Sequence, residues 1–169
     1  YLSGNIIEKR DHLLVVDVGG VGYEVIGSPS LMATLGDVGA PCKMFVFSHY
    51  KTDGVSLYGF LTSEEKQLFL QLIKVDTVGP KSALNILQAA PWAELVDLID
   101  NGEAAALAKL PKISKKVADH LVVKLKGKLT ELRLMVQSSD IKRVSAPRGR
   151  RDEVQSVLTN LGYRTGDVS

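Results

Sequence analysis

The sequence predicts an α+β multidomain chain in which a small β domain is followed by a mostly helical one. Three observations carry this. Residues 5–60 alternate short β-rich runs with turn signals. At Thr62 the texture changes to helical, with acids in the first turn at Glu64 and Glu65. Within the helical region a segment repeats at a fixed offset.

In the β region, Leu13–Val18 is rich in β-branched residues and stops at Gly19-Gly20, after which Val21–Ile26 resumes the pattern. Met44–Tyr50 and Val55–Phe60 flank Asp53-Gly54, a hairpin signal because a type I′ turn needs positive φ at both central positions. Strands this short and closely spaced predict a closed or sandwiched β domain over residues 1–61. The helical reading covers 62–136, with breaks at Gly79-Pro80, Pro91 and Leu110-Pro111. Trp92, Leu95, Leu98 and Ile99 read as core. Residues 137–151 are polar and basic and read as a flexible linker. Asp152–Leu161 is one amphipathic helix capped by Gly162, with too little chain after it to cover its apolar face. Residues 152–169 are therefore expected to be the truncated start of a third domain, and the missing initial Met points to residues absent at the other end.

A hydrophobic fraction of 45% supports a real core, and a net charge of +2 says little about partners. The distribution says more. Lys109, Lys112, Lys115, Lys116, Lys124, Lys126 and Lys128 stand against Asp119 alone, and a second basic run covers Lys142, Arg143, Arg148, Arg150 and Arg151. The single cysteine, Cys42, excludes an intrachain disulfide and fits a reducing cytosol. No apolar run is long enough to span a membrane, and residues 1–5 lack the layout of a signal peptide.

The repeat lays Val75 over Leu110, Val78 over Ile113, Lys81 over Lys116 and Ala83 over Ala118, a constant offset of 35 residues. Each copy reads as helix, tight turn, helix. A turn ahead of a helix leaves several N–H groups without intrahelical partners, and the helix dipole adds partial positive charge there, so the place suits a phosphate. A glycine lets the nucleic-acid backbone come close, and a lysine two residues later adds charge. Such contacts position DNA without reading its sequence. Val75–Ala83 fits the helix-hairpin-helix pattern apolar-x-x-apolar-Gly-x-Lys-x-Ala. In the second copy Lys112 and Ser114 stand where glycine is usual. A Cβ at Ser114 is expected to strain a left-handed turn and crowd the phosphate, with Lys112 adding a compensating charge. Two ordinary helical hairpins with solvated lysines are the plain alternative.

Ile6–Lys9, Val18–Val25, Leu57–Phe60, Leu72–Ala83, Leu110–Lys116 and Leu161-Gly162-Tyr163, in this order and spacing, resemble the RuvA family. The resemblance covers nearly the whole chain. It implies an OB-like β-barrel, a double helix-hairpin-helix domain, a flexible linker and a three-helix, UBA-like C-terminal domain. It implies a bacterial cytoplasmic protein with no cofactor and no catalysis of its own. It further implies a homotetramer, or two facing tetramers, that holds a four-way junction open for the ATPase RuvB, with the resolvase RuvC acting on the same junction. Carried over by position, the first hairpin offers Val78, Gly79, Lys81 and Ser82 to phosphate, and the second offers Lys112, Ile113, Ser114, Lys115 and Lys116. His120 falls where some members have arginine. The family's acidic pin falls at Tyr50–Val55, where Asp53 is the acid; Asp before Gly is equally what a tight hairpin needs.

Other signals are weaker. Gly79-Pro80-Lys81-Ser82 lacks the adjacent Gly-Lys and the earlier glycine of a P-loop, and Gly20-Val21-Gly22 has no βαβ context. His12, His49 and His120 have no metal-ligand spacing. A glycosylase or nuclease using the hairpins as a grip would need a catalytic carboxylate or lysine beside them. A single-strand binder would need stacking aromatics in a basic groove of the β domain.

Overall fold

The computed structural model describes residues 1–52 and 54–135. Asp53, the expected linker 137–151 and the expected helix Asp152–Leu161 lie outside the described residues. The first sixty residues form β1 (Leu2–Lys9), β2 (Leu13–Val18), β3 (Val21–Gly27), α1 (Pro29–Thr34), β4 (Pro41–Lys51) and β5 (Gly54–Phe60). The strands close into a barrel in the order β1-β2-β3-β5-β4. All pairings are antiparallel except β3 with β5. This is the OB-like barrel.

Local chemistry accounts for the register. Gly19 and Gly20 have φ of 64° and 90°, so Val18 can face Val21 across a two-residue turn. Alternate residues point inward, and Leu14 and Val16 of β2 and Cys42 and Met44 of β4 are buried. β1 carries a bulge between Ile6 and Glu8, which re-aims the strand around the barrel. Leu31 of α1 is fully buried against this core. A Cβ on Gly59 would lie 2.8 Å from Val25, 3.0 Å from Leu31 and 3.0 Å from Met44, so glycine there is a packing requirement.

The helical region comprises α2 (Ser63–Leu72), α3 (Pro80–Ala89), α4 (Trp92–Asn101), α5 (Ala104–Leu107), α6 (Lys115–Leu125) and a further helical stretch at 130–135. Thr62 caps α2 by accepting from the Glu65 amide at 3.2 Å. Leu95 and Ile99 are fully buried, and Trp92 and Leu98 pack against the same core.

Tyr1–Met135 forms one compact unit, so residues 1–61 and the helices share a joint. Phe69 of α2 sits among barrel aromatics, with ring centroids 4.8 Å from Phe60, 5.4 Å from Tyr58 and 5.9 Å from Phe47. The Glu65 carboxylate, buried, accepts hydrogen bonds from Ser28 Oγ (3.1 Å), Ser30 Oγ (2.6 Å) and the Leu61 amide (3.1 Å). A buried carboxylate is tolerable only when its lone pairs are filled this way.

Candidate nucleic-acid interface

The repeat read in the sequence recurs in the backbone hydrogen bonds. Val75 donates to Leu72 and Leu110 to Leu107, both at 3.1 Å. Val78 donates to Val75 at 2.8 Å and Ile113 to Leu110 at 3.4 Å. Ala83 donates to Gly79 and Ala118 to Ser114, both at 2.9 Å. The buried positions match too: Leu72 and Leu107, Val78 and Ile113, Ala83 and Ala118 are all core. Two copies of one hairpin therefore present the starts of α3 and α6.

Side chains divide by role. Val78 and Ile113 are buried and spend their amides on the turns, so they shape the hairpins from inside. Gly79, Lys81, Ser82, Lys112, Ser114, Lys115 and Lys116 are exposed. The first-turn amides of α3 have no side-chain cap, because its N-cap is Gly79. Those N–H groups, with the positive end of the helix dipole and Lys81, form a place for an anion.

The second hairpin corrects one expectation. Ser114 is not left-handed: its φ is −78° and its ψ 156°, and its hydroxyl accepts from the Val117 amide at 3.3 Å. It is an ordinary cap, carrying no strain from its Cβ. Gly79, at φ −82°, has the same extended conformation. The left-handed residue is Lys112, with φ 64°, the single non-glycine with positive φ among the described residues. That conformation costs about 1–2 kcal/mol for an L-residue. The Lys112 ammonium donates to Gln88 Oε1 on α3 at 2.5 Å.

His120 is half-buried, and its Nδ1 shares a hydrogen bond of 3.1 Å with Thr77 Oγ1. One turn further along α6, Lys124 lies 3.9 Å from Asp76. These pairs tie the first hairpin's turn to the second hairpin's helix, a link that sequence spacing does not announce. Cys42 lies in the barrel core, and burial pushes its thiol up, so it packs as a small apolar residue. Among the described residues no group of three or more His, Cys, Asp or Glu side chains could hold a metal ion, and no helix is long and apolar enough to cross a membrane.

Comparison with known proteins agrees with this architecture. Residues 1–59 match the family model described as the RuvA N terminal domain, and residues 69–127 match the SAM-like helix-hairpin-helix tandem. The Holliday junction branch migration complex subunit RuvA of Bdellovibrio bacteriovorus is 39% identical over 169 residues, covering 98% of this chain and 82% of that protein. The proteins of the same description from Geotalea daltonii and Roseiflexus castenholzii are each 37% identical, covering 99% of this chain and 84% of theirs. With the barrel and the paired hairpins each matched, and such relatives covered over most of their length, the chain belongs to the RuvA family.

Proposed function

We propose that this protein is a non-catalytic, structure-specific DNA-binding subunit that holds a four-way junction open while a separate RuvB motor drives branch migration in recombination and repair. One observation carries the reading. Two hairpins, matched bond for bond at an offset of 35 residues, present two helix starts with exposed lysines at Lys81, Lys115 and Lys116. Two phosphate grips built on matching backbone turns suit a duplex backbone, the first open at Gly79 and the second capped by Ser114, and grips of this kind position DNA without reading its bases. The description shared by the relatives supports the junction as the DNA form. In this reading four copies assemble around the junction in the bacterial cytoplasm, singly or as two facing tetramers. Asp53 meets its copies at the centre, and RuvC acts on the same junction.

The test is a gel-shift titration on a synthetic four-way junction with linear duplex and single strands as competitors. Strong preference for the junction is expected. Lys81→Ala and Lys116→Ala should each make the dependence of log affinity on log salt less steep by about one. Equal affinity for linear duplex would reduce the reading to generic DNA binding. Nicking or base excision would favour an enzyme, and preference for single strands a barrel-centred binder.

A further inference from the structure

A cleft of about 730 Å³ lies between the barrel and α3. Lys81, Leu84, Asn85 and Gln88 line it from one face of α3, at the spacing of successive helical turns. Lys51, at the end of β4, lines it from the barrel, and Lys112 lines it from the second hairpin. Three ammonium groups from three separate elements thus share one concavity. Its polar lining adds His12 and the side-chain amides of Asn85 and Gln88, and Asp11 is the one carboxylate lining it among the described residues. Among the described residues none of the three lysines belongs to an ion pair.

Like charges held in a cleft with apolar walls repel one another and focus a positive potential. Lys112 sharpens the point. It holds a left-handed conformation that glycine would adopt freely, and its ammonium meets Gln88 at the cleft rather than solvent alone. Strained residues of this kind persist where the surroundings fix them, and they cluster at ligand clamps. The ligand chemistry follows from adjacency. Lys81 lines the cleft and also stands two residues after Gly79, at the anion-binding start of α3. A phosphodiester strand with one phosphate at that helix start can carry its neighbouring phosphate into the cleft.

We propose that this cleft is a third DNA-backbone site, separate from the two helix starts, with Lys51 and Lys112 as its own phosphate contacts. The proposal rests on the DNA-binding reading above. Lys51 makes the barrel a participant in the grip, and Lys112 lets the second hairpin serve a strand bound by the first.

The experiment is a fluorescence-anisotropy titration of the full chain on a four-way junction and on linear duplex across a salt series. It compares the wild type with Lys51→Gln, Lys112→Gln and Lys112→Gly. The glycine variant removes the ammonium while suiting the positive φ, so its melting temperature should be at least that of the wild type. Each substitution should make the junction salt dependence less steep by about one, and Lys51→Gln with Lys112→Gln together by about two. Unchanged slopes in the three single variants, with wild-type preference for the junction intact, would overturn the cleft and keep the junction reading. Lowered slopes in a protein that binds linear duplex equally well would keep the cleft as a DNA site and remove the junction reading.

Discussion

Gly79 has no conformational reason to be glycine. Its φ is −82° and, among the described residues, nothing lies within 4 Å of where a Cβ would stand, whereas Ser114 at the matching position caps its helix. A serine at 79 should likewise accept from the Ser82 amide, and glycine-to-serine at an N-cap is worth a few tenths of a kcal/mol. Gly79→Ser is therefore expected to keep or slightly raise the melting temperature while weakening junction affinity several-fold, since the new side chain fills the approach path and occupies an amide. Equal affinity in an anisotropy titration would show that nothing closes on this position. The same pair shows what a sequence can tell at this scale. Its pattern locates both turns, and the buried Val78 and Ile113 are readable from their spacing. Which turn residue takes the positive φ is not readable, because that depends on how the preceding helix ends. The strain expected at Ser114 falls instead on Lys112.

At the scale of elements, α4 is clasped to the end of α6 by one carboxylate. Asp100 accepts from the Gly127 amide at 2.9 Å and from Arg133 Nη1 at 2.5 Å. The Arg133 guanidinium and then the Gly127 amide hold the Asp100 carboxyl below its ordinary value. A carboxylate depressed in this way contributes stability that is fully present above the unfolded value near ~4 and is lost as pH falls through the folded one. Arg133→Ala should thus lower the melting temperature at neutral pH, and the gap from wild type should close at pH below the ordinary carboxylate range. A gap independent of pH would mean that Arg133 acts through packing alone. Legibility at this scale follows length and periodicity. Leu13–Val18 and the hairpin flanks were readable because they are rich in β-branched and aromatic residues and are bounded by Gly19-Gly20 and Asp53-Gly54. β1 as a strand of its own was not, because Ile6 alone of its residues is buried and a bulge breaks the alternation. Nor was α1, whose six residues are too few to establish a helical period.

The whole molecule depends on a joint that no local pattern announces. Glu65 reaches Ser28 and Ser30 across more than thirty residues of chain, and Phe69 from α2 packs among rings supplied by β4 and β5. Acids in a helix's first turn read as capping residues, and an apolar residue on a helix reads as core; neither says which partner it meets. Yet this joint fixes where Lys51 stands relative to Lys81 and Lys112, and so whether a strand can touch barrel and hairpins together. Tyr58 and Phe60, although on β5, belong to the helical core, so loss of that core strips the barrel of one wall. Barrel and hairpins should accordingly unfold as one cooperative unit. Phe69→Ala tests this, since truncating a fully buried phenylalanine costs about 3–5 kcal/mol. In native-state hydrogen exchange, the slowest amides of β2 and of α4 should lose protection by the same amount, because both exchange only through global opening. If α4 lost protection while β2 kept it, the barrel would be an independent unit, and the geometry of the cleft would have to be held by bound DNA instead of by the fold.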